Sequence, residues 1–273
     1  MAEQKKQKKD QFVALCADSL DDAERLMPMV QQLAASLRKG IILFTVSPDA
    51  DNWVETLGVP FAALKSDWPS VVEALPTAFN VVLAVTLADF DAPRGCSSHP
   101  RQVLKNFRQS KIAYLVYPHQ TLVRPAKPPV NVALTLDHQR ESKEKLLWAS
   151  YFIRFCRSKA MVFHHPYTDL AFRHRLDNNV RFMEKIFSSL NITRETGQYD
   201  LQTLPEGNQF ANPDLKAIVQ PGIDLFIALV PDQRDRDIVD LFSIPPALRL
   251  LKHAPTIPIL FLNQRDDLYI MCD

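Results

Sequence analysis

Val13-Ala14-Leu15-Cys16-Ala17-Asp18 returns as Val132-Ala133-Leu134-Thr135-Leu136-Asp137, a short apolar run closed by an aspartate in both places. The offset from Asp18 to Asp137 is 119 residues, and the same offset carries Phe44 onto Phe163 at the end of the next apolar run. Element order repeating at one fixed spacing reads as two copies of one folding unit. Each copy can then be searched for the same site.

In the first copy, Phe12 to Ala17 has the length and continuous apolarity of a buried strand. Asp18-Ser19 and Asp21-Asp22 suit a helix N-terminus and its positive dipole end. Leu26, Met29, Val30, Leu33, Ala34 and Leu37 follow at helical spacing, with Gly40 expected to end that helix. The pattern continues as strand 41–46, helix 53–57, strand 60–64, helix 70–78, strand 81–87, helix 99–108 and strand 112–117. The second copy reads strand 132–136, helix 142–156, strand 160–163, a long helix 170–190 and a weaker strand 192–199. Helix 214–219, strand 223–230, helix 246–252 and strand 257–262 complete it. Unbroken apolar strands alternating with amphipathic helices imply parallel sheets covered on both faces. The expectation is an α/β fold with two tandem doubly wound, five-stranded parallel sheets.

Arg124-Pro125-Ala126-Lys127-Pro128-Pro129 divides the copies, since prolines this dense can continue neither a helix nor a central strand. The boundaries read as a disordered basic tail at 1–10, a first domain at 11–122, a linker at 123–130 and a second domain at 131–273. Between the last strands the offset has grown, which puts the extra residues in the middle of the second copy.

The chain has 273 residues and a net charge of +1, which gives no global pull toward nucleic acid or an anionic membrane. No run is long and apolar enough to span a bilayer, and the start lacks the apolar core of a signal peptide; a cytoplasmic protein without membrane insertion is expected. Cys16, Cys96, Cys156 and Cys272 form no CxxC pair, so neither a disulfide framework nor a zinc site is indicated. His138, His164, His165 and His174 are weighed as a metal set and set aside, because no carboxylate accompanies them at ligand spacing. No GxSxG, Walker loop or GxGxxG is present, and neither Asp18 nor Asp137 has a nucleophile at readable spacing, so no enzyme is read here.

The chain resembles a tandem universal stress protein over almost all of residues 12–263. The resemblance rests on Val132-Ala-Leu-Thr-Leu-Asp137 as an opening strand and on Pro221-Gly-Ile-Asp-Leu-Phe-Ile-Ala228 as a fourth. Lys252-His-Ala-Pro-Thr-Ile-Pro-Ile-Leu-Phe-Leu262 resembles the run entering the fifth, and Asp18-Ser19 is typical after the first. It implies a Rossmann-like, adenine nucleotide alpha-hydrolase-like fold. Nucleotide-binding members of the family use the aspartate after strand one and a glycine loop after strand four, whose backbone amides reach phosphate ahead of a helix N-terminus.

In the second copy that loop, Leu229 to Pro246, holds no glycine. Asp232, Asp235, Asp237 and Asp240 oppose a polyphosphate, only partly offset by Arg234 and Arg236, and Ile244-Pro245 stands where the family has Gly-Ser. The first copy reads Ala88-Asp-Phe-Asp-Ala-Pro-Arg-Gly-Cys-Ser-Ser-His-Pro100. Ser97-Ser98 falls on the Gly-Ser position, Ser98 is placed to cap the next helix, and Arg94 is a candidate phosphate partner. The candidate cofactor-binding set is Asp18, Ser19, Arg94, Gly95, Ser97 and Ser98, for a degenerate site that would take ATP or AMP if it takes any cofactor. The resemblance implies a non-enzymatic stress-response module whose copies pair through strands 112–117 and 257–262 as an intramolecular pseudo-dimer, with a homodimer as a further partner arrangement. The alternatives are an ATP/AMP switch or weak ATPase using the first copy alone, and a soluble regulatory partner of a membrane transporter.

Overall fold

The computed structural model describes residues 11–59, 62–64, 67–121, 129–138, 142–205, 212–230, 245–254 and 256–263. The expected basic tail, most of the linker, the Asp232–Asp240 loop, Ile244 and Cys272 lie outside the described residues.

In the first half, β1 (Phe12–Cys16), β2 (Gly40–Thr45), β3 (Ala62–Leu64), β4 (Val81–Ala88) and β5 (Ala113–Pro118) alternate with α1 (Leu20–Leu37), α2 (Ala50–Leu57), α3 (Trp68–Thr77) and α4 (Pro100–Ser110). The second half carries β6 (Asn131–Leu136), β7 (Lys159–His164), β8 (Tyr199–Thr203), β9 (Leu225–Val230) and β10 (Ile259–Asn263). Its helices are α5 (Ser142–Cys156), α6 (Leu170–Ser189), α7 (Pro213–Ala217) and α8 (Pro246–His253).

The strands do not form two sheets. They form one ten-stranded sheet in the order β3-β2-β1-β4-β5-β10-β9-β6-β7-β8, so that the two tandem five-stranded sheets expected from the sequence are instead one sheet, continuous across β5 and β10. All neighbouring strands run parallel except β5 and β10, whose antiparallel ladder pairs Tyr114 with Phe261, Leu115 with Leu260 and Val116 with Ile259. The physical reason is the apolarity of both last strands: Leu115, Val116, Leu260 and Phe261 are fully buried, and an open edge of that composition would template aggregation. The seam uses each unsatisfied edge to cover the other.

One face of the sheet is covered by α1, α2, α5 and α6, through a core that includes Leu26, Met29, Trp53, Phe152, Met183 and Phe187. The other face is covered by α3, α4, α7 and α8, around Val71, Leu75, Phe107, Ile218 and Leu251. Helices on both faces of a largely parallel sheet are the doubly wound arrangement.

Two local differences from expectation have a clear physical cause. Arg38, in a left-handed conformation with φ 54°, ends α1, while Gly40 opens β2. Glycine is required at 40 for close approach instead: an added Cβ would lie 2.6 Å from the Phe12 ring. The strand expected at 192–199 begins only at Tyr199. Residues 193–198 form a turn, with Thr196 N donating to Thr193 Oγ1 at 3.2 Å and Gly197 at φ 68°. The threonine side chains offer the backbone hydrogen bonds that a ladder would otherwise supply.

Candidate functional site

In each half the strand order reverses beside the first strand, between β1 and β4 and between β6 and β9. A parallel sheet opens a crevice at such a switch point, beyond the carboxyl ends of its strands. Because β5 and β10 are antiparallel, the two crevices face opposite edges of the sheet.

In the first crevice, Asp18 follows β1 and Ser97-Ser98 belong to the loop between β4 and α4. These residues meet. The Ser97 hydroxyl donates to Asp18 Oδ2, and the Ser98 backbone N–H reaches the same oxygen at 3.3 Å. The loop is held by Asp89 N donating to the Ser98 carbonyl at 2.8 Å and by Asp91 N donating to Asp89 Oδ1 at 2.9 Å. Ser97 is buried.

The protein's own carboxylate thus takes the donors that an incoming anion would need. An anion entering here must displace Asp18 and tolerate its charge, which is the reverse of an open phosphate cradle.

The other candidates are placed differently. Ser19 caps α1, accepting from Asp22 N at 3.2 Å. Arg94 and Gly95 are exposed on the outer part of the loop, Gly95 at φ 108°. The cap of α4 is His99 and not Ser98: His99 Nδ1 accepts from Arg101 N at 3.3 Å, while the Ser98 amide is committed to Asp18. Beside the crevice the Cys16 thiol is buried and pushed up to about 12, first by desolvation and then by the Asp18 charge, which leaves it a poor nucleophile.

The second crevice has a different chemistry, and sequence reasoning missed its main component. Lys145, on α5, is only 4% exposed. Its Nζ donates to Thr135 Oγ1 at 3.0 Å and to the Thr135 carbonyl at 3.3 Å, and lies 3.7 Å from Asp214 Oδ1 on α7. Thr135 also donates its hydroxyl to Asp214. A signal was available: the 119-residue offset puts Lys145 in register with Leu26, which is fully buried.

Aromatic and imidazole rings gather beyond β6 and β7. His138 Nδ1 lies 3.1 Å from the Tyr167 hydroxyl, and its ring stacks on Phe172 at 4.4 Å. His165 packs edge-on against Tyr167 at 5.1 Å. His164 Nε2 pairs with Thr203 Oγ1 at 3.0 Å, and the Asp137 carbonyl accepts from Asn179 Nδ2 at 2.7 Å. His174 is exposed on α6. The described residues contain no grouping of three His, Cys, Asp or Glu side chains able to hold a metal ion. Burial raises the Tyr167 hydroxyl to about 12, with the Asp137 charge adding to the effect.

His165 is 1% exposed, and neither of its ring nitrogens has a hydrogen-bond partner among the described residues. Burial lowers its pKa, and the charges of Lys216 and His164 lower it further. Burial likewise lowers that of His164. The folded state therefore binds fewer protons than the unfolded chain once the pH falls below about 6.5, the ordinary histidine value. Stability should fall as the pH drops through that value and level off below the depressed folded pKa. Urea unfolding between pH 7.5 and 5 checks this. His165→Phe should flatten the acid slope, and a slope unchanged by that substitution would assign it to other groups.

With the geometry in place, comparison with known proteins adds the fold class. No family model matches the sequence, and no curated protein matches it. Solved structures do match, and the fold they share with this chain is that of universal stress proteins. A candidate universal stress protein of Pseudomonas aeruginosa UCBPP-PA14 superposes with a TM-score of 0.58 at 11% identity, covering 94% of each chain. A universal stress protein of Archaeoglobus fulgidus DSM 4304 gives 0.58 at 11% identity, over 94% of this chain and 97% of that one. The cytoplasmic domain of a prokaryotic cation chloride cotransporter gives 0.54 at 12% identity, over 93% and 96%. No helix among the described residues is long and apolar enough to cross a membrane.

Proposed function

We propose that this chain is a tandem universal stress protein-like regulatory module that works by binding rather than catalysis. In this reading its two halves form an intramolecular pseudo-dimer and its nucleotide sites are degenerate. The observation that carries the reading is the Asp18 carboxylate bound to Ser97 and Ser98, an internal anion seated where a phosphate would be cradled. The duplicated sequence supports the pseudo-dimer. So do the antiparallel β5–β10 seam and the contact of Ser36 Oγ with the Phe155 carbonyl at 3.4 Å, between residues 119 apart. Contact between residues related by the repeat offset is what a self-complementary pairing produces.

Isothermal calorimetry with ATP and with AMP tests the reading. Wild type should give no binding heat at micromolar nucleotide, and Asp18→Ala should not lose any affinity. Tight binding by wild type that Asp18→Ala abolishes would overturn the proposal in favour of a nucleotide switch in the first half, with Ser97 and Ser98 as its phosphate contacts. A role beside a membrane transporter is a second reading, supported by the likeness to the cotransporter's cytoplasmic domain.

A further inference from the structure

At the two ends of the ten-stranded sheet, one helix face is basic and one surface is acidic. At the β8 end, α6 is 20 residues long where its counterpart α2 has 8, so the second half has been extended by a helix of its own character. Its inward stripe is short: Leu176, Met183 and Phe187 are its buried residues. At about 100° per residue, the opposite sector of about 120° presents His174, Arg175, Arg181, Phe182 and Lys185 without any acidic residue. Asp177 and Glu184 fall on one flank. Arg175, Arg181 and Lys185 form no ion pair with the described residues, although surface helices commonly pair such side chains at i,i+4. Leu170 is 76% exposed and Phe182 40%, so apolar surface accompanies the cations.

At the β3 end, α2 and the entry to α3 present Asp49, Asp51, Glu55 and Asp67, all exposed. Residues 47–59 hold no lysine or arginine; Lys65 lies outside the described residues. Ten strands at about 4.8 Å spacing set these two surfaces roughly 40 Å apart, too far to neutralise one another across a Debye length of about 8–10 Å.

A bilayer is the poorer match for α6. Two apolar side chains and three permanent cations are too little for stable insertion, and the net charge of +1 gives no long-range attraction. Arginine and phenylalanine are instead the residues enriched at protein interfaces, where the guanidinium pairs carboxylates in bidentate fashion. Asp49, Asp51, Glu55 and Asp67 at the opposite end of this chain supply exposed carboxylates of that kind.

We infer that the outer face of α6 is a docking surface for a second copy of this chain, which it receives through the acidic end formed by α2 and the start of α3. The contact is head to tail, and such a contact propagates rather than closing unless its rotation forms a ring.

Sedimentation velocity on the full chain over a concentration series tests it. At about 20 mM salt the wild type should grow in mass with concentration, and at about 0.5 M salt it should return to monomer, because the junction is electrostatic. Arg175→Glu/Arg181→Glu makes the α6 face acidic and leaves the α2 end intact, and Asp51→Lys/Glu55→Lys cancels the negative charge of the α2 end and leaves the α6 face intact. Each variant alone should lose at least tenfold in association constant. An equimolar mixture of the two should regain it, which also shows both variants to be folded. A wild type that stays monomeric at low salt would overturn the inference. So would association that neither pair of substitutions weakens, or low-salt binding of the chain to phosphatidylserine vesicles without any self-association.

Discussion

Asp214→Ala is expected to destabilise the chain by about 3–5 kcal/mol, the usual cost of removing one partner from a buried ion pair. The substitution leaves the Lys145 ammonium, 4% exposed, hydrogen-bonded to the oxygens of Thr135 but without its carboxylate. The lysine must then carry an uncompensated charge in the protein or pull α5 away from β6 to reach water, and either route costs stability. The double variant Lys145→Met/Asp214→Leu should recover most of the loss, because a methionine of similar length packs where Leu26 packs in the first half without any charge to desolvate. Urea unfolding of the two single variants and the double variant supplies the cycle. An Asp214→Ala protein within about 1 kcal/mol of wild type would show that the pair does not organise the second crevice.

Phe261→Ala is the other large expected effect. Phe261 is fully buried on β10, pairs with Tyr114 of β5 across the seam, and lies 6.0 Å ring to ring from Phe107 of α4. Truncating a buried phenylalanine costs about 3–5 kcal/mol, from lost burial and from the cavity left behind. The position makes the result informative beyond its size, since the side chain belongs to the second half while Tyr114 and Phe107 belong to the first. Unfolding followed by far-ultraviolet circular dichroism and by tryptophan fluorescence should remain a single transition, shifted as a whole. Trp53 and Trp68 report on the first half, and Trp148 on the second. Two separated transitions, with only the second half shifted, would show that the halves fold independently and that the seam is a docking contact rather than a shared core.

Much of the fold was legible in the sequence because its signals are local. The run from Phe12 to Ala17 is short, apolar and followed by an aspartate and a serine; that pattern yields a buried strand and a capped helix whatever lies elsewhere. The same holds for Leu225–Val230 and for the helical spacing through α1. The turn at 193–198 was misread because hydroxyl groups competed for the backbone, and a count of apolar residues does not register that. The first crevice was half legible. Asp18, Ser97 and Ser98 were picked out, but as groups facing a ligand, and no spacing between residues 79 and 80 positions apart says that they face each other. Lys145 was overlooked because a lysine at a core position is read as surface unless its partner is known, and its partner Asp214 comes from another helix.

The repeated phrase at 13–18 and 132–137, with the hydrophobic period of the runs that follow it, carried the class of fold and most of the order of strand and helix in each half. Those follow from the hydrophobic period, from capping, and from the fixed preferences of glycine and proline, all of which act within a few residues. The tertiary structure alone decided that the ten strands form one sheet, that the two crevices open on opposite edges, and that each is filled from within, by Asp18 in one and by Lys145 with Asp214 in the other. Strand pairing and ion pairing are made by groups distant in the chain. Their energies depend on which surfaces are left to be desolvated once the local elements have formed.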